Sequence, residues 1–257
     1  MIVGKAIAAD ASTMLDKIWV ADLGCLAYEE AFALQRRLAE DRDAGRVPDL
    51  LLFVEHPPVI TLGRRGSRDD IYATPEQLAA LGISVHETNR GGLVTYHGPG
   101  QVVGYPIARL RSLAGDAPSY VRELETTIIR TLAGLGVAAG RDACHRGVFA
   151  DGGKLAAIGV AVSRGVTMHG FALNLQPDLE HFALINPCGI GDLGVTSVAR
   201  VAGRAVDAGD VRRALAFHFG EVFNRTMVPA PPGILDGRRS ANPSGSAGVP
   251  AAATVGT

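Results

Sequence analysis

Apolar and polar positions follow two periods along this chain, and each change of period marks an element. Over residues 25–40, Ala27, Ala31, Leu34 and Leu38 share one stripe, while Glu29, Glu30, Arg36 and Arg37 fall off it; the spacing predicts a helix. Two short apolar runs follow, LLLFVEH (50–56) and VITLG (59–63), interrupted by Pro57-Pro58, and read as strands. Thr74-Pro75-Glu76-Gln77 is a capping box with proline in the first helical position, so a short helix starts there and Gly82 ends it. LVTYHG (93–98) and QVVGYPI (101–107) read as two strands around the Gly98-Pro99-Gly100 turn. Asp116 opens a longer helix with Val121, Leu124, Ile128, Leu132 and Leu135 on one stripe, and Gly134 and Gly136 mark its end. Residues 147–175 read as an antiparallel meander of three strands, turning at Asp151-Gly152-Gly153 and Ser163-Arg164-Gly165. A last helix over roughly 210–225 turns Val211, Leu215, Phe219 and Val222 inward. Hairpins interleaved with helices predict an α+β (two-layer α/β) fold: a single domain with a mixed, largely antiparallel sheet and packed helices.

Composition alters this picture at the ends. After Val228 the chain is rich in Pro, Gly, Ser and Ala and poor in large apolar residues, so residues 229–257 are expected to form a disordered tail. Residues 1–14 are expected to be loose, which leaves 15–228 as the folded domain. The 257 residues carry a formal net charge of −1, which gives no electrostatic reason to expect nucleic acid or a membrane surface as a partner. Cys25, Cys144 and Cys188 lack the even spacing of a disulfide framework and suit a reducing compartment. Neither a signal peptide nor an 18-residue apolar run is legible, so a cytoplasmic location is expected.

Several chemistries are disfavoured by pattern. GGK at 152–154 runs into a strand instead of opening a helix, so its amides cannot converge on a phosphate as in a P-loop. Cys144 and His145 are adjacent, point opposite ways on an extended chain, and have no CxxC or HxxxH partner; no metal site is expected. No GxSxG elbow occurs. Among the thiols, Cys25 reads as a small apolar filler at a helix start and Cys144 as structural. Cys188 lies in turn chemistry, INPCGIGDLG (185–194), where Gly189 leaves space beside the sulfur. On these residues alone an unreactive loop cysteine remains the simpler reading. A thiol becomes a nucleophile when a cation favours its thiolate, and the candidates are His97, His169 and Lys154. Lys154 opens the apolar strand KLAAIGVAV; it is either a solvated strand end or a charge aimed into a site, where burial would lower its pKa.

RGGLVTYHGPGQ (90–101), GGKLAAIGVAVSRGVTMHGFALNL (152–175) and INPCGI (185–190), with EHPPVITLGRRG (55–66) ahead of them, resemble the octanoyltransferases of lipoate synthesis, the LipB type. These belong to the biotin and lipoate protein ligase catalytic-domain superfamily. The segments occur in the family's order over about 55–200, and Leu93 departs from it where a polar or acidic residue is expected. The resemblance implies a fold similar to the biotin/lipoate ligase catalytic core and no cofactor. It implies transfer of octanoyl or lipoyl from acyl carrier protein to a lysine of lipoyl domains, in the E2 subunits of 2-oxoacid dehydrogenases and the glycine cleavage H protein.

Carried over residue by residue, Cys188 is the acyl-thioester nucleophile and Lys154 its activating partner. The acyl pocket maps onto Arg90, Gly91, Gly92, Leu93, Val94, Thr95, Tyr96 and His97, then Ala157, Ile158 and Gly159, then Gly170, Phe171 and Ala172. His97 and His169 would each orient a carbonyl or hydrogen-bond in the core. Arg64, Arg65 and Arg68 form a basic loop cluster that would dock acidic carriers. Three other readings stay open: an ATP-dependent lipoate or biotin ligase, an amidotransferase moving octanoyl between lipoyl domains through a cysteine, and a non-catalytic carrier-binding protein.

Overall fold

The apolar run at residues 50–54 is the middle of a sheet covered on both faces in the computed structural model, which describes residues 16–186 and 194–235. Strands β1 (Lys17–Cys25), β2 (Asp49–Glu55), β6 (Gln101–Ile107), β7 (Val148–Ala150), β8 (Gly153–Ser163), β9 (Val166–Asn174), β10 (Gly194–Val195) and β11 (Thr226–Pro229) form the large sheet. Its order is β10-β8-β9-β6-β2-β1-β11, with β7 also pairing with β8. Neighbours β2–β6, β6–β9, β7–β8 and β8–β9 are antiparallel, whereas β1 runs parallel to β2 and to β11 and β10 runs parallel to β8. The second sheet has the order β4-β3-β5, built from β3 (Val59–Leu62), β4 (Ser84–Glu87) and β5 (Val94–His97).

Period-2 alternation sends Leu51 and Phe53 of β2 to one face and Leu50, Leu52 and Val54 to the other. The helices are α1 (Tyr28–Asp43), α2 (Pro75–Ala80), α3 (Leu110–Leu113), α4 (Ala117–Gly134), α5 (Val198–Ala202) and α6 (Ala208–Phe223). Helices α4 and α6 cover the first face through Leu124, Ile128, Leu132, Leu215 and Phe219. Helix α1 covers the second through Ala31, Leu38 and Ala39. The small sheet builds its own core from Ile60, Leu62, Val94 and Tyr96 with Leu78 of α2 and Phe182 of a 3-10 turn (Leu179–Leu184).

Local signals fare well where a side chain acts on its own turn. Thr74 accepts from the Gln77 amide and Gln77 returns the bond, closing the capping box at α2. Asp116 caps α4 by accepting from the Ser119 amide at 2.7 Å. Asp151-Gly152 and Arg164-Gly165 hold positive φ at both central positions, the two-residue turns that match strand twist in a hairpin.

Where partners are distant, the expectations shift. The first helix begins at Tyr28, because β1 runs to Cys25 as the parallel neighbour of β2. Cys25 is therefore an exposed strand end, not a filler, and Ala27 is exposed ahead of the helix. Cys144 is exposed as well. The strands around Gly98-Pro99-Gly100 form no hairpin: β5 pairs with β3, while β6 pairs with β2 and β9, so this turn crosses between sheets. It is fixed by the Gly100 amide donating to Glu55 Oε2 at 3.1 Å. At the end of α6, Phe223 enters the core and Val222 is only partly covered. The boundary drawn at Val228 falls inside β11, and residues up to 235 lie on the domain: the Ala230 amide donates to Val20 O, and Arg37 donates to the carbonyls of Ile234 and Leu235. Residues 1–15 and 236–257 lie outside the described residues.

Candidate functional site

The site grows from a stretch of small residues where β8 and β9 face each other. Ala157 pairs with Ala172 and Gly159 with Gly170. A Cβ on Gly170 would stand 2.2 Å from the Gly104 carbonyl of β6, so only glycine fits between these strands. A Cβ on Gly159 would stand 3.1 Å from Gly91 O and 3.2 Å from Arg90 Cδ. Its absence lets the 90–93 loop lie across β8, tied by the Gly91 amide donating to Val160 O at 2.9 Å. That loop in turn holds residues 63–65, whose amides donate to the carbonyls of Leu93, Arg90 and Gly92. A cavity of about 560 Å³ remains between the two sheets, within the usual size of a small-ligand pocket.

The residues expected to form an acyl pocket converge on this cavity from three separate segments. All of 90–97 except Leu93 line it, as do Ala157, Ile158, Gly159, Gly170, Phe171 and Ala172, together with Lys154 and His169. Leu93 instead gives its carbonyl to the Gly63 amide at 2.6 Å, and its backbone crowds Gly66. Tyr28, Gln101, Tyr105, Asn174, Phe182 and Val195 also line the cavity. Gln101 and Asn174 fall within two of the motif strings, Tyr28, Tyr105, Phe182 and Val195 within none, and only the fold brings them together.

Arg90 is the buried cation of the site, 7% exposed. Its guanidinium donates to Thr61 O at 2.6 Å, to Thr61 Oγ1 at 2.9 and 3.2 Å, and to Gly91 O at 3.1 Å. These bonds pin the glycine loop, and the charge governs its neighbours. Burial, then the approach of His56 and Arg90, pushes His97 well below the ordinary imidazole range. Burial and Arg90 push His169 down to about 3. Both rings are neutral at physiological pH, so neither supplies a cation to a thiolate, which leaves Lys154 as the remaining candidate of the three.

The neutral rings have defined tautomers. Gln101 donates from Nε2 to Asn174 Oδ1 at 2.9 Å, so its Oε1 accepts from His97 Nδ1 at 3.2 Å, and His97 Nε2 is an acceptor. Asn174 then donates to Thr196 O, and the Thr196 amide donates to Lys154 O, which links the ring to the start of β8. His169 has φ +56°, a left-handed backbone rare outside glycine, and is held there by its amide donating to Gln35 Oε1 and its Nε2 donating to Asn89 Oδ1 at 2.6 Å. His56 donates from Nδ1 to Leu26 O, so its Nε2 accepts the Tyr105 hydroxyl at 2.8 Å.

Lys154 is the second residue of β8, partly buried, with Nζ 5.3 Å from the centre of the Phe149 ring, within cation–π range. Its register partner on β10 is Val195. Cys144, His145 and Arg146 border the same cavity. Asp142 accepts from the amides of Cys144 and His145 and from His145 Nδ1, all on one oxygen. Cys188 and Gly189 lie outside the described residues; the chain on either side ends at Asn186, whose amide donates to Asp70 O at 2.7 Å, and resumes at Gly194 on β10. Arg64 and Arg65 line the cavity while exposed, whereas Arg68 sits in a 3-10 turn (Arg68–Asp70) away from it. Among the described residues, no three of His, Cys, Asp and Glu are grouped to hold a metal ion, and no helix is long and apolar enough to cross a membrane.

Residues 27–220 match the model of the lipoyl protein ligase A/B catalytic domain. An octanoyltransferase of Syntrophobacter fumaroxidans is 45% identical over 212 residues, covering 82% of this chain and 93% of that protein. One of Geobacter metallireducens is 47% identical over 218 residues, covering 82% and 99%. One of Myxococcus xanthus is 47% identical over 224 residues, covering 85% of this chain and 63% of that longer relative. Among solved structures, a lipoate-protein ligase A bound with ATP shares the fold at a TM-score of 0.67 and 16% identity, over 86% of this chain and 91% of that one. A putative lipoate protein ligase from T. acidophilum with bound lipoic acid does so at 0.67 and 16%, over 86% and 92%.

Proposed function

Since the chain belongs to the octanoyltransferases of the lipoyl protein ligase A/B catalytic-domain family, an acyltransferase group acting in protein lipoylation, we propose that it carries octanoyl from acyl carrier protein to a lipoyl-domain lysine through a thioester on Cys188. The acceptors on this reading are the lipoyl domains of 2-oxoacid dehydrogenase E2 subunits and the glycine cleavage H protein, and the setting is the cytoplasm. The observation that carries the reading is the position of Lys154. It lies at the start of β8, next to Gly153, on the cavity wall, its register partner is Val195, and Val195 follows Cys188 by seven residues.

In the first half-reaction Cys188 Sγ attacks the octanoyl thioester carbonyl. The Cys–acyl bond forms as the bond between the acyl carbon and the pantetheine sulfur breaks, and that sulfur leaves as a thiol, receiving through Lys154 the proton Cys188 gave up. Lys154 takes the Cys188 proton, its ammonium favours the thiolate by charge, and it becomes neutral again when it hands that proton to the departing sulfur. In the second, the acceptor lysine amine attacks the acyl-enzyme. Its proton passes to neutral Lys154, and the Cys188 sulfur is released as an amide forms. Thioester exchange is nearly balanced and amide formation runs downhill, so the sequence needs no ATP. The cavity's small residues along β8 and β9 suit an extended acyl chain; burying about six methylenes contributes on the order of 5 kcal/mol.

Intact-mass measurement after mixing with octanoyl-acyl carrier protein tests the reading. The native chain should gain one octanoyl group, located at Cys188, and Cys188→Ser should gain none while keeping its melting temperature. Acylation that survives in Cys188→Ser, or that requires ATP and free octanoate, would overturn it.

A further inference from the structure

We infer that the rim of the cavity, formed by Arg64, Arg65 and Arg146, is the docking surface for the acidic face of the protein carrier that delivers the acyl group. This rests on the donor reading proposed above. Among the described residues the cavity lining holds five cationic side chains, Arg64, Arg65, Arg90, Arg146 and Lys154, and no Asp or Glu. That imbalance stands out in a chain whose overall formal charge is −1. Arg64, Arg65 and Arg146 are exposed while lining the cavity, so they stand at its opening.

The rim is built from two segments far apart in sequence, each anchored. The Arg64 and Arg65 amides donate to the carbonyls of Arg90 and Gly92, which fixes that side to the glycine loop. On the other side, Gly147, next to Arg146, donates its amide to the buried carboxylate of Glu125.

Several arginines elsewhere on this surface are neutralised internally. Arg37 and Arg46 pair with Asp41, Arg109 and Arg164 with Asp43, Arg212 with Asp22, and Arg213 with Asp210. Among the described residues no carboxylate lies within ion-pair distance of Arg64, Arg65 or Arg146. Three like charges around an opening repel one another, and an external anionic surface is what relieves them. Guanidinium groups favour carboxylates through paired hydrogen bonds, and their spread over two sides of the opening matches a surface bearing several carboxylates. Arg68 has no part in this rim: it is off the cavity and flanked by Asp69 and Asp70.

The test compares the native chain with an Arg64→Gln, Arg65→Gln, Arg146→Gln triple variant on three donors: octanoyl-carrier protein, octanoyl-phosphopantetheine and octanoyl-pantetheine. For the carrier donor, kcat/KM should fall roughly 10–100-fold at low ionic strength, with a flatter dependence on salt and little change in kcat. Both small donors should react at the native rate. An unchanged kcat/KM and salt slope with the carrier would overturn the inference. So would an equal loss with octanoyl-phosphopantetheine, which would assign the anion to the arm's phosphodiester, or with octanoyl-pantetheine, which would mean a damaged cavity. If the native chain takes both small donors but not the carrier, the donor reading itself fails, and the docking inference with it.

Discussion

Lowering the pH should destabilise this fold before any paired carboxylate begins to titrate, and His169 gives the size of the effect. An unfolded imidazole titrates near 6.5, whereas the folded His169 is held neutral to about 3 by burial and by Arg90. Below pH 6.5 the unfolded chain binds a proton that the folded chain refuses, so stability is lost as pH falls, at about 1.36 kcal/mol per pH step. From neutral pH to about pH 5 this one ring costs about 2 kcal/mol. For a domain of this size that is a drop of roughly 4–8 °C in melting temperature. His56 and His97 are lowered in the same direction and add to it. His169→Asn isolates the share of His169, because asparagine tolerates the left-handed backbone and does not titrate. The measurement is the difference in melting temperature between about pH 7.5 and pH 5, by calorimetry, in the native chain and the variant. The gap should narrow by roughly 4–8 °C in His169→Asn. An identical gap in both proteins would refute the argument, as would an NMR titration showing the His169 ring protonating near pH 6.

The remaining predictions concern the cavity. Lys154→Ala should slow both half-reactions, and the pH dependence of Cys188 alkylation should move to higher pH; an unmoved alkylation profile would remove the charge role given to Lys154. Gly170→Ala places a methyl group 2.2 Å from the Gly104 carbonyl, so it should destabilise by about 1–3 kcal/mol, read as a lower midpoint in a urea melt. Donors one methylene longer or shorter than octanoyl should change kcat/KM by roughly 10–200-fold at most, a graded series in a competition assay rather than a sharp cutoff.

Much of this domain is legible in the chain. The capping box at Thr74, the Asp116 cap and the two positive-φ turns of the β7–β8–β9 meander are decided by side chains acting within a few residues. The Lys154 and Cys188 motifs likewise identify the family from short strings. Strand β1 is not legible because its side chains are mostly half-buried or exposed, which blurs the alternation, and pairing with β2 and β11 is what makes it a strand. His169 is visible as a motif residue, but its neutrality comes first from burial and then from the charge of Arg90, and both are set by the fold.

The sequence by itself determined the caps, the tight turns, most of the elements after β1 and the family, because each is specified by local periodicity or by a motif. Only the tertiary structure decided that β5 and β6 part into different sheets and that Leu93 turns away from the cavity. The same holds for Arg146 joining Arg64 and Arg65 where Arg68 does not. Local pattern fixes the face a side chain takes on its own element. What covers that face, and which charges share a low-dielectric space, is set by elements that meet only when the chain has folded.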